Sequence, residues 1–170
     1  MSAVTPPPPP SSPPAVVSER PQRLFSVDAG LFTESLLGHN VVVPVEWEWA
    51  PFRHLGTTAT LLGGLGTGPG AGLWGGGARV GLKWFPLSTT PFEGFSVQGQ
   101  AGADLIVSTT DPVFGGVRPS VHLGLGYALR VVDRWIVSPG LGVNLNLFGW
   151  GFPSPGVLLF HLNIGRFEWE

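Results

Sequence analysis

The residues able to do chemistry in this chain are sparse, and most of them stand at alternate positions among apolar neighbours. Charged residues make up only 12% of the 170 residues. The polar positions of these alternating segments hold acids, bases, imidazoles and amides: Asp28, Glu46, Glu48, Arg79, Lys83, Asp104, His122, Asn144, Asn146 and His161. Groups of this kind, when buried together, must be paired or hydrated, so they form either an ion-paired plug or a path for water, ions or protons.

Metal and nucleotide sites lack a supporting pattern. His122, His161 and Asp104 are the best metal candidates, but no ligand-spacing motif joins them and the chain contains no cysteine. The glycine-rich stretch 63–77 lacks the Gly-Lys-Ser/Thr ending of a phosphate-binding loop, and we expect a flexible loop there. We therefore expect neither a metal nor a cofactor.

Catalytic groups are equally unsupported. Ser35 with His39, and Ser108 with Asp111, are the candidate nucleophiles with a base or acid nearby in sequence. Both pairs fall between the alternating segments, in the loops that are predicted below for one side of the fold. An enzyme of this fold that acts on lipid would carry its nucleophile and base there. Nothing in their spacing places a base against a nucleophile. We expect no catalysis, and a lipid-modifying barrel enzyme stays as an alternative.

Alternation of apolar and polar residues, which is weakest over 57–65, predicts the elements that position these groups. It predicts eight strands, over 25–31, 41–49, 57–65, 78–84, 95–105, 120–129, 135–147 and 158–165. Glycine, proline, asparagine and aspartate mark the connections at 36–40, 51–56, 66–77, 86–94, 107–118, 130–134 and 148–156. The 26 glycines and the absence of a 3.6-residue period disfavour long helices. The predicted fold is all-β.

The two faces of these strands differ in size as well as polarity. The polar face is rich in glycine and serine, whereas the side chains of the apolar face are large and often branched. The inner wall of a narrow barrel has less room for side chains than the outer wall. We therefore predict a closed eight-stranded antiparallel up-and-down transmembrane β-barrel, with its polar face lining the lumen. The alternative is a soluble β-barrel that carries an apolar ligand inside.

Predicted strand directions divide the lumen charges into two levels. Glu46 and Glu48 on the second strand lie low with Lys83, and we expect these three to pair. Asp104 and His122 lie high on neighbouring strands, and we expect them to pair as well. The interior of an eight-stranded barrel is just wide enough for side chains to fill it. A structural polar plug is therefore favoured over the alternative of a narrow pore or proton relay.

Aromatic residues fall at one level of the predicted barrel, on the side of the chain termini, here called the lower side. The set comprises Phe25, Trp47, Trp49, Trp84, Phe95, Tyr127, Trp135, Phe167 and Trp169. Membrane barrels carry aromatic girdles at the lipid–water interface, so this set is predicted to lie at that interface.

Composition sets the remaining bounds. The net charge of -2 lacks the basic excess expected of a nucleic-acid binder, and no apolar run approaches the ~20 residues of a membrane-spanning helix.

Residues 1–22 are proline-rich and predicted to be a disordered tail, a spacer or a docking peptide for an envelope partner. Residues 23–170 form the predicted barrel domain. No apolar signal segment follows Met1, so we expect a signal that was removed or a misassigned start.

Two strand–turn–strand segments, Arg79–Val97 and Gly124–Gly142, resemble those of small bacterial outer-membrane barrels. The resemblance covers about residues 23–169. It implies an OmpA-like or uncharacterised eight-stranded barrel in the outer membrane of a Gram-negative bacterium, with membrane lipids as its surroundings. We further expect a monomer with a structural or interaction role in the cell envelope.

Overall fold

Alternating residues along the chain form eight strands and one short helix in the computed structural model. The structure describes residues 22–37, 40–66, 72–88, 92–109, 116–132, 134–146 and 158–168. The elements in chain order are β1 (Gln22–Asp28), α1 (Ala29–Leu37), β2 (Asn40–Phe52), β3 (Leu55–Gly66), β4 (Leu73–Trp84), β5 (Gly94–Ser108), β6 (Gly116–Val132), β7 (Trp135–Asn146) and β8 (Leu158–Glu168). The predicted tail lies outside the described residues except for Gln22, the first residue of β1.

Each strand pairs antiparallel with the next, and β1 pairs with β8, so the sheet closes into a barrel. The predicted closed eight-stranded antiparallel barrel is confirmed. Following the paired residues once around the barrel gives a total register shift, or shear, of about ten residues. This shear corresponds to strands tilted by about 40° from the barrel axis. A strand of 12 residues at that tilt rises by about 30 Å along the axis.

The glycine-rich stretch is more ordered than predicted. β4 begins at Leu73, so Gly75, Gly76 and Gly77 belong to a strand paired with β5 rather than to a loop. The prediction of a flexible loop through residue 77 is wrong at these positions. Glycine at position 77 is compatible with this strand and is needed there, because a Cβ would collide with Oδ1 of Asp104.

The helix α1 was not predicted, and the alternating segment that suggested a strand through Leu31 stops at Asp28. Asp28 turns the chain: its Oδ1 accepts a hydrogen bond from the backbone N–H of Leu31 at 3.0 Å, the geometry of a helix N-cap. Gly30 then lies directly against the backbone of β8, where a Cβ would be 2.7 Å from the carbonyl oxygen of Phe160.

α1 fills a gap in the wall that the short β1 leaves between β2 and β8. Above the end of β1, Leu162 N donates to Asp28 Oδ1 at 3.0 Å, and Val42 N donates to Ser35 Oγ at 3.0 Å. Pro44 carries no N–H. Side chains next to or within α1 therefore satisfy strand donors that have no neighbouring strand there.

Within the described residues, two apolar clusters lie in the interior, one at its lower end and one beside α1. The lower cluster consists of Leu24, Ala50, Phe85, Phe92, Ala128, Ile136 and Phe167, and the upper cluster of Leu31, Leu62 and Leu159. In the lower cluster Phe92 packs on Phe85 and Phe167 with ring centroids 6.0 and 5.7 Å apart. Phe92 does so in the left-handed region, with φ of 63°, a conformation that is strained for a bulky residue.

Candidate functional site

Polar and apolar residues are distributed inside out. Lys83 and Asp104 inside the barrel are only 3% and 2% exposed, whereas Val80 and Leu125 on the outer face are 67% and 53% exposed. Among the described strand residues, the outward-facing charges Arg23, Arg166 and Glu168 lie at the lower ends of β1 and β8. The candidate site is therefore the polar lumen together with the apolar outer wall.

The lower layer of the lumen centres on Lys83. Glu46 and Glu48 are two residues apart on β2, so both face inward. Lys83 Nζ lies 2.6 Å from Glu48 Oε1 and 4.0 Å from Glu46 Oε1, and all three side chains are buried. One ammonium group thus neutralises one carboxylate directly and lies near the second, and the three residues pair as predicted.

Glu46 has further donors that sequence reasoning missed. Its Oε2 accepts hydrogen bonds from Thr60 Oγ1 at 3.0 Å, Gln98 Nε2 at 3.0 Å and Gln100 Nε2 at 2.9 Å. Hydrogen bonds to the charged form stabilise a buried carboxylate. The signal was available, because Gln98 and Gln100 stand on the polar face of β5, but a neutral amide is a weak indicator of a site.

The upper layer centres on Arg79. Its Nη2 donates to both carboxylate oxygens of Asp104 at 3.0 Å, its Nη1 to Asn144 Oδ1 at 3.0 Å and its Nε to Ser120 Oγ at 3.2 Å. Because the guanidinium of Arg79 donates hydrogen bonds to residues on three other strands, it links β4 to β5, β6 and β7.

The predicted pairing of Asp104 with His122 is wrong. The stagger of β5 against β6 places Gln100, not Asp104, opposite His122, and it places Asp104 opposite Arg118. Arg118 faces the interior near the upper end of β6, and sequence reasoning did not include it in the lumen set.

The two lumen histidines contact each other instead. His122 Nδ1 lies 3.1 Å from Asn144 Oδ1, His161 Nδ1 pairs with Asp28 Oδ2, and the two rings meet edge to face with centroids 4.9 Å apart. They meet across β7 because Gly142 has no side chain: a Cβ there would lie 2.5 Å from atoms of both rings. Among the described residues, no group of three or more His, Cys, Asp or Glu side chains could hold a metal ion.

Between the two layers lies a small cavity of about 50 Å³, whose polar border includes Glu46, Lys83, Gln100, His122 and His161. Buried atoms without a hydrogen-bond partner within the described residues are Ser26 Oγ, Glu46 Oε1, Glu48 Oε2, Arg118 Nη1 and His161 Nε2. This volume has room for a few water molecules and is too small for an extended apolar ligand.

The lower end of the lumen is closed by more than the apolar cluster. Arg130 lies over the ring of Phe167 at 5.0 Å from its centroid, and its Nη2 pairs with Glu93 Oε1 at 2.6 Å. Both partners of this ion pair are partly exposed. The pair covers the aromatic cluster from below.

Most of the aromatic residues that were predicted to lie at an interface do face outward near the lower end. Phe25, Trp47, Trp49, Trp84, Phe95, Tyr127 and Trp135 are between 36% and 53% exposed. Phe25 and Trp47 are cross-strand neighbours whose rings meet edge to face at 5.4 Å. The outward face of the barrel therefore carries an aromatic belt at the level of the strand ends.

Two positions of the predicted sets need separate mention. Phe167 was predicted to face outward, and this is wrong: it is 3% exposed within the lower cluster, because the alternation of β8 continues without a slip past Ile164. Trp169 lies outside the described residues, as do His39 and Asp111. Asn146 pairs with Ser120 at the end of β7, and its side chain is not among those described. Ser35 Oγ is engaged with backbone groups of Phe32 and Val42.

No protein-family model matches this chain, and no curated protein is significantly similar to it. In the part of the chain that the structure describes, no helix has the length and apolarity needed to cross a bilayer.

Proposed function

We propose that this chain is a membrane-spanning β-barrel whose apolar outer wall contacts lipid and whose lumen is filled by an ion-paired polar plug. The single observation that carries the proposal is the inside-out distribution: charges lie in the middle of the barrel, and large apolar side chains lie on its surface. More specifically, we propose an OmpA-like protein of the outer membrane of a Gram-negative bacterium, with a structural or interaction role and no catalysis.

The energetics of the wall support this assignment. Large exposed apolar surfaces on a soluble monomer are rare, and here they surround the barrel above the aromatic belt. A closed sheet leaves no unpaired strand edge, which lipid requires because unsatisfied backbone groups there cost several kcal/mol each. Strands of 12 residues at a tilt of about 40° also match the thickness of a hydrocarbon core.

A plug is favoured over a pore by the contents of the lumen. The Arg79 and Lys83 layers cross the barrel, the lower apolar cluster lies below them, and the upper cluster lies beside the Arg79 layer, level with Asp104. The cavity between the layers is about 50 Å³. A soluble carrier of an apolar ligand is disfavoured by the same observations, because its cavity would be lined by carboxylates, imidazoles and a lysine.

The test is refolding from urea into detergent micelles and into phospholipid vesicles, followed by gel electrophoresis of unheated and heated samples. We expect the chain to stay folded only in the presence of detergent or lipid and to migrate differently after heating. A folded chain that is monomeric and soluble in buffer without detergent would refute the membrane assignment.

A further inference from the structure

A groove runs along the outside of β3 at the level of the aromatic belt. Two small residues of β3, Thr57 and Ala59, face outward there. Larger side chains on both neighbouring strands flank them: Trp49 and Leu82 beside Thr57, and Trp47 and Val80 beside Ala59. The resulting groove has a volume of about 760 Å³, within the range of roughly 300–1,000 Å³ that small-molecule sites occupy.

The floor of the groove is more apolar than its sequence suggests. Thr57 Oγ1 donates a hydrogen bond to the carbonyl oxygen of Trp49 at 3.3 Å, so the hydroxyl is occupied by the backbone. Ala59 offers only a methyl group. An unbranched hydrocarbon chain fits this groove, because the groove is shallow and its walls are aromatic and aliphatic.

One end of the groove carries two opposite charges. Arg23 and Glu168 are register partners on β1 and β8, both are exposed, and both line the groove. Arg166, the register partner of Phe25, is a further charged residue near this corner. A guanidinium presents five donors and binds phosphate well, whereas a carboxylate binds ammonium.

We propose that this groove binds one zwitterionic aminophospholipid, with an acyl chain along Thr57 and Ala59, the phosphate at Arg23 and the headgroup ammonium at Glu168. This inference rests on the proposed membrane location and adds a specific lipid class to it. Glu168 is the feature that selects a zwitterionic headgroup over an anionic one, because its carboxylate repels a headgroup that carries only negative charge.

The experiment is native mass spectrometry of the full chain in a mild detergent with equal amounts of palmitoyl-oleoyl phosphatidylethanolamine and phosphatidylglycerol. The wild-type protein should retain a single phosphatidylethanolamine in preference to phosphatidylglycerol. Ala59→Leu fills the groove and should lower lipid retention by about tenfold. Ala101→Leu on β5 is the matched control, because Ala101 also faces outward, as the register partner of Val80 on β4, but does not line the groove. This variant should leave retention unchanged.

Glu168→Gln should reduce the preference for phosphatidylethanolamine over phosphatidylglycerol by about fivefold, the equivalent of one solvent-exposed ion pair. Equal retention of both lipids by the wild type, or equal effects of Ala59→Leu and Ala101→Leu, would overturn the proposed groove. All three variants must show the heat-dependent gel migration of the wild type. If the wild type itself lacks that migration and needs no detergent, the membrane assignment fails instead, and the two failures are distinguishable.

Discussion

Arg79 offers the sharpest test of the lumen plug. Its guanidinium makes four hydrogen bonds to Asp104, Asn144 and Ser120, and both Arg79 and Asp104 are almost fully buried. Arg79→Met keeps most of the side-chain volume and removes the charge, which leaves the Asp104 carboxylate buried without its partner. Breaking a buried pair in this way costs about 3–5 kcal/mol.

The assay is urea unfolding of the refolded barrel in micelles or vesicles, followed by tryptophan fluorescence. We expect Arg79→Met to lower the free energy of unfolding by about 3–5 kcal/mol. Arg79→Met combined with Asp104→Asn should lose less than the sum of the two single variants, because the second change removes the stranded charge. Arg166→Met at the exposed lower rim is the control, with an expected loss of less than about 1 kcal/mol. A loss below about 1 kcal/mol for Arg79→Met, or strict additivity in the double variant, would refute the plug as a source of stability.

Three further outcomes follow from the packing of the barrel. Gly102→Ala should lower the free energy of unfolding by about 1–3 kcal/mol or more, because a Cβ there would collide with the carbonyl oxygen of Ala78. Gly63→Ala should be neutral in the same urea titration, because a Cβ there meets nothing within 4 Å. Phe92→Ala should cost about 3–5 kcal/mol by removing the contacts with Phe85 and Phe167, and comparable stability of this variant and wild type would contradict the role of the lower cluster. Refolded wild-type protein in a planar bilayer should show no large, stable conductance steps, and such openings would exclude a closed lumen.

The alternation of residues was sufficient to predict eight antiparallel strands in a closed barrel and the faces of most of their side chains, but it misplaced the end of β1, the start of β4 and the face of Phe167. A period of two, as in Val43, Val45 and Trp47, assigns each side chain to a face without knowledge of its neighbours. The same rule explains why Glu46, Glu48 and Lys83 could be placed together, since they share a face and a level on nearby strands.

Features that depend on register or on a local switch of conformation could not be predicted in this way. The partner of Asp104 depends on the stagger between strands, which the alternation does not encode, so Arg79 rather than His122 binds it. Asp28 has the position of another lumen acid, yet its carboxylate caps α1 and ends β1. At Phe167 the apolar pattern moves to the inner face while the strand continues, because the lumen itself turns apolar at its lower end.

The most direct test of the lipid-facing wall is a charge placed on it. Leu125 lies near the middle of β6 and faces outward, and Val132 ends the same strand at the lower rim. In vesicles, we predict that Leu125→Arg lowers the free energy of unfolding by about 2–4 kcal/mol and that Val132→Arg lowers it by about 0–1 kcal/mol. If Leu125→Arg changed that free energy by less than about 0.5 kcal/mol, as expected for a surface position in water, the outer wall would not lie in a bilayer.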